Sequence, residues 1–149
     1  MVNLVNQLKR DYPSIIFVAS DRACWVASEH KIYYTDDPID LLHELGHALL
    51  MHKDFIQDIE LLQMERAAWQ KAQQLAPRYG YIICDNDIEE ALDSYRNWLH
   101  DRSLCPKCNQ TGLQSRNTLN YYCLNCHTRW TANDARSCQL RRRAKAGSN

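Results

Sequence analysis

The sequence of 149 residues lacks an apolar segment long enough to cross a bilayer. Its longest uncharged apolar stretch near the N-terminus, Pro13–Ser20, is far shorter than the roughly 20 residues that a transmembrane helix needs. The same stretch lacks the length and the cleavage-site pattern of a secretory signal peptide. We therefore expect a soluble, cytoplasmic protein without a membrane partner.

The chain also lacks a net charge, but its C-terminal third has almost no acidic residues. Residues 1–101 contain 9 Lys or Arg against 17 Asp or Glu, whereas residues 102–149 contain 9 Lys or Arg against one acid, Asp134. This change of composition predicts a domain boundary near Arg102. The predicted division is an N-terminal domain of residues 1–101, a small domain of residues 102–132 and a basic, flexible tail of residues 133–149.

Local patterns predict an α+β fold for the N-terminal domain. Compact apolar runs with β-branched residues indicate strands, and apolar residues at helical spacing indicate helices. The predicted strands are Ser14–Ala19, Ala23–Ser28 and Lys31–Thr35, the last two joined by a turn at Glu29-His30. The predicted helices span residues 2–10, 38–52, 58–76 and 86–100. Asp37 is a suitable N-cap for the second helix, with Pro38 at its first position.

The strongest chemical signal is the segment His43-Glu44-Leu45-Gly46-His47 in the second predicted helix. Histidines four residues apart lie on one face of a helix, so both imidazoles can bind one Zn²⁺. Glu44 can act as general base, because zinc lowers the pKa of a bound water to about 7. A helix that is apolar on all sides is buried, and burying three polar side chains in it is costly without a metal. The segment therefore predicts a catalytic zinc site rather than core histidines.

A catalytic zinc site needs a third protein ligand. Glu65 is favoured, because it falls in an apolar stripe of the third helix, where a carboxylate needs a positive partner. Glu60, on a more polar side of that helix, is the alternative, and a surface pairing of Glu65 with Arg66 is a further one. The other histidines of this domain are expected to face solvent or to point away from the site, namely His30, His52 and His100.

Two CxxC pairs in the C-terminal part predict a second, structural zinc site. The four ligands would be Cys105, Cys108, Cys123 and Cys126. Two such pairs at this spacing close a tetrahedron of thiolates that leaves no open position, which is typical of a zinc ribbon built on a β-hairpin. His127 is a weaker substitute ligand, and a redox role for the pairs is the alternative. Of the remaining cysteines, Cys24 is expected to be a buried small residue, and Cys84 and Cys138 surface thiols.

The order of a β-hairpin, the HELGH helix and a helix bearing Glu65-Arg66-Ala67-Ala68-Trp69 resembles the small gluzincin metallopeptidases, in particular the ImmA/IrrE group and the minigluzincins. The resemblance covers roughly residues 14–76. It implies that His43, His47 and Glu65 bind the catalytic zinc and that Glu44 is the general base of a cytoplasmic endopeptidase, often one paired with a regulatory protein. The C-terminal ribbon departs from this group. SprT-like proteases carry such a ribbon, but use a third histidine that this chain does not offer.

We therefore expect hydrolysis of peptide bonds in a protein or peptide substrate, with one catalytic and one structural Zn²⁺ per chain. An extended substrate would pair with Lys31–Thr35, taken as the edge of the sheet. The residue that stabilises the oxyanion would be one of five tyrosines, Tyr33, Tyr34, Tyr79, Tyr81 and Tyr95. The alternatives are a zinc-binding protein without catalytic activity and a metal-dependent hydrolase that acts on a non-peptide substrate.

The basic end mixes cations with aromatic residues. Such a surface can hold phosphates and stack on unpaired bases, and it can equally bind an acidic protein. The residues proposed for it are Arg102, Lys107, Arg116, Arg129, Arg136, Arg141, Arg142, Arg143 and Lys145, with Tyr121, Tyr122 and Trp130 among them.

Overall fold

The computed structural model describes residues 1–116, 118–135 and 138–145, and in these ranges the fold is α+β with four α-helices and two small sheets. The α+β class expected from the sequence is confirmed. Among the same residues, no helix is long and apolar enough to cross a membrane. The chain divides into two compact units, one of Met1–Asp54 with Gln63–Glu90 and the other of Phe55–Leu62 with Ala91–Asn149.

The first unit begins with an amphipathic helix and a three-stranded sheet. These elements are α1 (Val2–Asp11), β1 (Ile16–Ala19), β2 (Cys24–Val26) and β3 (Lys31–Tyr34), close to the predicted bounds. Helix α1 buries Leu4, Val5 and Leu8. The predicted turn between β2 and β3 is present as a short 3₁₀ helix, after which His30 adopts a left-handed conformation with φ 49°.

Strand β3 lies in the middle of this sheet. It pairs in parallel with β1, where Ile32 is opposite Phe17, and antiparallel with β2, where Ile32 is opposite Trp25. Neighbouring strands thus occupy both backbone edges of β3. The prediction that a substrate adds to Lys31–Thr35 is therefore wrong, and β2 is an edge strand instead.

Helix α2 (Pro38–Leu49) begins as the sequence predicts and ends earlier. The Asp37 carboxylate accepts hydrogen bonds from the backbone N–H groups of Ile39, at 2.7 Å, and of Asp40, at 3.4 Å. These bonds satisfy donors that the first turn of a helix leaves free. At the other end, Met51 has φ 55°, so the chain leaves the helix before His52.

Helices α3 (Asp58–Leu75) and α4 (Asp85–Ser103) match the third and fourth predicted helices within a few residues. A 3₁₀ turn, Ala76–Tyr79, follows α3 and contains Pro77, which cannot continue an α-helix. Each of the two long helices contributes residues to both compact units. The boundary expected from charge near Arg102 therefore differs from the division that the contacts define.

The second unit contains an antiparallel sheet of four strands where the sequence predicts only a hairpin. The strands follow each other in space as in sequence: β4 (Leu113–Gln114), β5 (Asn120–Tyr122), β6 (Arg129–Ala132) and β7 (Arg142–Ala144). Strand β7 lies in the segment expected to be a flexible tail, and it pairs with β6 along its length. Its Arg142 donates to the carbonyl oxygens of Asp101, at 3.3 Å, and of Leu104, at 3.0 Å.

Three residues that the sequence predicts to lie on a basic surface are buried in this unit, two of them on the inner face of the sheet and one, Arg102, at the end of α4. Tyr121 and Trp130 are buried, with their rings stacked at 5.3 Å between centroids. Arg102 is only 2% exposed, and its Nε donates to Asp58 Oδ2 at 2.7 Å. All three belong to the core of the unit, so the expectation that they face a partner is wrong. Arg136 lies outside the described residues.

Candidate metal centres

The histidines of the HELGH segment point from α2 to one point of the first unit. His43 and His47 are one helical turn apart, and both side chains are buried. Their Nε2 atoms approach each other to 3.1 Å, and the two rings are nearly perpendicular. The predicted juxtaposition of the two imidazoles is therefore present in the structure.

Helix α3 supplies the third group because it packs very closely against α2. The closest approach is at Gly46, where an added Cβ would lie 2.4 Å from the backbone oxygen of Ala68. Glu65 lies one turn before Ala68, and its carboxylate faces the histidines. Trp69 directly follows Ala68, and its ring stacks on the His43 ring at 4.2 Å between centroids. A single face of α3 thus provides the carboxylate, the close contact and the support for His43.

Three donor atoms form a compact triangle. Glu65 Oε2 lies 3.1 Å from His43 Nε2 and 3.3 Å from His47 Nε2, and the two nitrogens are 3.1 Å apart. Ligands bound to one Zn²⁺ in a tetrahedron at about 2.0–2.1 Å lie about 3.3 Å from each other. The triangle therefore has the dimensions of three ligands of one metal ion, and this group can hold one.

The chemistry of the donors also fits a cation. A neutral imidazole carries one proton on its two nitrogens, and a carboxylate carries none. At most two protons are therefore available for the three close contacts, and they cannot all be hydrogen bonds. Burial opposes ionisation of Glu65, but hydrogen bonds from His43 and His47 outweigh it and lower the pKa of the carboxyl to about 2. An ionised carboxylate with two imidazole nitrogens is the donor set of a metal site. The site thus favours a positive charge at its centre.

Glu44 follows the first histidine and is half-buried. Burial raises the pKa of its carboxyl, while the nearby His43 and His47 and a hydrogen bond from the backbone of Trp25 act in the opposite direction. Trp25 belongs to the edge strand β2, so this bond connects the candidate base to the edge of the sheet. A carboxylate held next to the donor triangle in this way is suitably placed to exchange protons there.

His52 contacts the site, contrary to the prediction that it points away. Its Nδ1 lies 2.9 Å from Nδ1 of His47, and its backbone oxygen accepts a hydrogen bond from Trp25 Nε1 at 3.0 Å. Because α2 ends at Leu49, the chain turns back at Met51 and brings this ring onto His47. A metal-binding histidine commonly donates its other ring N–H to such a partner, which fixes its orientation. For His43, the buried Nδ1 has no hydrogen-bond partner among the described residues.

The alternatives considered for the third ligand are engaged elsewhere. Glu60 caps the start of α3, where its carboxylate accepts from the N–H groups of Ile56 and Gln57 at 2.8 and 3.0 Å. Arg66 is exposed, while Glu65 is buried against the histidines. Of the five tyrosines, Tyr79 donates its hydroxyl to Asp11 Oδ2 at 3.0 Å. Glu65 is thus the carboxylate that the structure brings to the histidines.

The four cysteines of the CxxC pairs form the other candidate centre, in the second unit. Their Sγ atoms all lie within 4.8 Å of one another, with Cys105 and Cys126 at 3.5 Å and Cys108 and Cys123 also at 3.5 Å. A disulfide requires about 2.0 Å, whereas two thiolates bound to one Zn²⁺ at about 2.3 Å lie about 3.8 Å apart. The arrangement therefore fits a metal with four sulfur ligands, and it contains no disulfide.

The two CxxC pairs adopt the same turn. In each, the residue after the second cysteine has a left-handed conformation, φ 57° at Asn109 and φ 58° at His127. Each donates its backbone N–H to the carbonyl of the first cysteine, at 2.9 Å and 3.0 Å. His127 thus contributes a backbone hydrogen bond to the turn, and its side chain is not part of the cluster that the four sulfurs form. Hydrogen bonds with Thr128 lower the pKa of the Cys126 thiol to about 6, whereas burial and side-chain hydrogen bonds with Cys108 and Cys126 raise the pKa of the Cys123 thiol to about 11.

The other sequence predictions for histidines and cysteines are confirmed in part. His30 and His100 are exposed, as are Cys84 and Cys138. Cys24 is partly rather than fully buried, and burial raises the pKa of its thiol.

Comparison of the chain with models of protein families, with curated proteins and with solved structures finds no match.

Proposed function

We propose that this protein is a zinc-dependent peptidase that resembles the small gluzincins of the ImmA/IrrE group and acts in the cytoplasm. One observation carries the proposal: the donor triangle of His43, His47 and Glu65 lies at ligand spacing, with Glu44 beside it. A site with three protein ligands leaves a position free for water and substrate, which is the arrangement of catalytic zinc.

In the proposed reaction, His43, His47 and Glu65 hold the ion. When bound there, zinc would supply Lewis acidity, which would make a water acidic near neutral pH and favour negative charge on the carbonyl oxygen of the substrate. The Glu44 carboxylate takes a proton from the attacking water and then passes it to the nitrogen of the leaving amine. His52 keeps the His47 ring in the orientation in which Nε2 faces the ion.

The position of β2 suggests where the substrate lies. The strand is at the edge of its sheet, and the backbone of Trp25 within it lowers the pKa of the Glu44 carboxyl. A peptide that pairs with this edge would place its backbone next to the candidate base. This proposal replaces the one for Lys31–Thr35 that the central position of β3 excludes.

The four-cysteine centre is proposed to hold a second, structural Zn²⁺. Four sulfur ligands leave no position for substrate. The surrounding sheet is small, and metal binding by such units commonly supplies much of their folding free energy. We expect two zinc ions per chain, of which only the one in the donor triangle takes part in catalysis.

The test is the Glu44→Gln variant, with Asp40→Asn as matched control. Both substitutions remove one carboxylate charge from α2, but Asp40 is exposed and lies at the start of the helix. On a panel of unfolded proteins, wild type and Asp40→Asn should cleave, and Glu44→Gln should be slower by about 10²–10⁴-fold with its zinc content unchanged. Equal behaviour of wild type and Glu44→Gln on every substrate would overturn the proposal. It would leave a zinc-binding protein without this activity, or a hydrolase of non-peptide substrates, as the remaining interpretations.

A further inference from the structure

The sheet of the second unit has one face that its core does not use. Strand residues alternate between the two faces, and Tyr121, Trp130 and Ala132 point to the core. We call the opposite side the outer face, and its members by register are Leu113, Asn120, Tyr122, Arg129, Thr131, Arg143 and Lys145. Lys145 joins this face because its N–H donates to the Arg129 carbonyl at 2.8 Å, which extends the pairing by one residue.

The outer face carries positive charges on neighbouring positions. Lys145 lies directly across from Arg129, and Arg143 lies across from Thr131, the next outward residue of β6. Among the described residues, no carboxylate lies within salt-bridge distance of these three cations, which are all exposed. Like charges directly opposite each other destabilise a sheet. Binding of an anion between Arg129 and Lys145 would remove that repulsion.

Beside the cations, the same face offers apolar and aromatic surface. One row across the four strands runs from Leu113 through Tyr122 to Arg129 and Lys145. Leu113 is 59% exposed, and the Arg129 guanidinium lies 5.7 Å from the centroid of the Tyr122 ring. The Tyr122 hydroxyl contacts His127 Nδ1, which restrains the ring. The row therefore presents an aromatic half and a cationic half next to each other.

The middle of this row is concave. A depression of about 460 Å³ lies here, lined by Ser115, Thr118, Asn120, Tyr121, Tyr122, Arg129 and Lys145. The Ser115 hydroxyl and the Asn120 side-chain amide can exchange hydrogen bonds with the edge of a base, since each can donate and accept. A depression that combines two cations, one aromatic ring and such polar groups matches the parts of a nucleotide.

We propose that the outer face binds single-stranded nucleic acid. A phosphate lies between Arg129 and Lys145, and an unpaired base stacks on Tyr122 next to Leu113. Proteins that bind single strands combine cations that follow the backbone with aromatic side chains on which bases stack. An acidic peptide would use the cations but would leave the exposed Leu113 and the half-buried ring of Tyr122 without a partner. The activity is separate from that of the donor triangle and does not depend on the proposed peptidase.

The test uses the zinc-loaded full chain and fluorescein-labelled oligothymidylate and oligouridylate of about 15 nucleotides, with binding followed by fluorescence anisotropy. The double variant Arg129→Gln/Lys145→Gln should bind at least about tenfold more weakly, and the slope of log affinity against log salt should decrease by about 1.4. The matched control, Lys9→Gln/Arg22→Gln, also removes one lysine and one arginine, but from exposed positions of the first unit, and it should bind like wild type.

A second pair of variants tests the aromatic half. Tyr122→Leu should weaken binding about tenfold without changing the salt dependence, and Tyr122→Phe should retain most of the affinity, because stacking requires only the ring. Absence of binding at about 50 mM salt would overturn the proposal, as would equal affinity of the double variant and its control. Polyglutamate that binds as tightly as the oligonucleotides, with no effect of Tyr122→Leu on either, would overturn it in favour of an acidic protein partner.

Discussion

Gly46 of α2 lies directly against the backbone carbonyl of Ala68 in α3, so that a Cβ at position 46 would be 2.4 Å from that oxygen. The neighbouring atoms are backbone and cannot move aside as a flexible side chain would. Because Glu65 is on the same face of α3 as Ala68, this contact sets how near the carboxylate comes to His43 and His47. The glycine of the HELGH segment is therefore required for the third ligand to reach the site.

The Gly46→Ala substitution should destabilise the protein and weaken metal binding. In an ordinary helix, alanine is more favourable than glycine by up to about 1 kcal/mol, so helix propensity alone predicts the opposite sign. The steric conflict with Ala68 should instead cost about 1–3 kcal/mol and displace Glu65. Urea unfolding and zinc content of the purified variant measure both effects. Gln70→Ala, at an exposed position of α3, is the control and should change neither. A stabilised Gly46→Ala variant with full zinc content would contradict the argument.

His52 should contribute to metal affinity through His47. If His47 binds the ion through Nε2, its proton is on Nδ1 and can be donated to His52 Nδ1, 2.9 Å away. Loss of such a partner commonly weakens metal binding about 10–100-fold. Competition with a chelator of known affinity should show this loss for His52→Ala and a partial recovery for His52→Asn, whose side-chain oxygen can accept the same hydrogen bond. His100→Ala, which removes an exposed histidine, should bind metal like wild type. The same affinity for His52→Ala and His100→Ala would show that the contact has no such role.

Most of the candidate site could be predicted because its signals are local. The spacing of His43 and His47, the capping of α2 by Asp37 and the two CxxC turns depend on residues a few positions apart. Glu65 was also accessible, because a carboxylate within an apolar stripe needs a buried partner. Periodicity likewise placed the four helices within a few residues of their actual bounds.

The features that sequence reasoning missed depend on long-range pairing or on unusual backbone conformations. His52 reaches His47 because Met51 takes a positive φ, and methionine, unlike glycine, asparagine or aspartate, does not signal that conformation in a sequence. The central position of β3 follows from parallel pairing with β1, and no adjacent turn signals a parallel pair. Arg102 is buried because it pairs with Asp58, and this partner lies 44 positions earlier in the chain. In each case the decisive contact is invisible to a short window of sequence.

The carboxylates Glu65 and Glu60 should differ sharply in their effect on metal content. Glu65 faces the two histidines, whereas Glu60 accepts hydrogen bonds at the start of α3. Glu65→Gln should leave one tightly bound zinc per chain, in the four-cysteine centre, and Glu60→Gln should retain two. Metal analysis after exhaustive dialysis checks the stoichiometry. Substitution with Co²⁺ identifies the remaining site, since only the cysteine centre gives thiolate-to-metal charge-transfer bands. Two metals in Glu65→Gln, or one in Glu60→Gln, would refute the assignment of the third ligand.

The contributions of Asp58 and Arg102 to the free energy of unfolding should depend strongly on each other. Asp58 is 3% and Arg102 2% exposed, and the carboxylate also accepts the Tyr121 hydroxyl. Removal of one partner leaves a buried charge without its counter-charge, which commonly costs about 3–5 kcal/mol, whereas replacement of both by apolar residues costs much less.

A double-mutant cycle in urea at saturating zinc can measure this coupling. Arg102→Met and Asp58→Leu should each destabilise the chain strongly, and the double variant should be more stable than Arg102→Met alone, because it no longer contains an unpaired carboxylate. Arg141→Met is the control, since it removes an exposed arginine of the same unit and should change the free energy of unfolding by less than about 0.5 kcal/mol. Additive effects of the two core substitutions would mean that the pair contributes as two independent side chains, and that its burial follows from packing around Tyr121 rather than from the attraction between the charges.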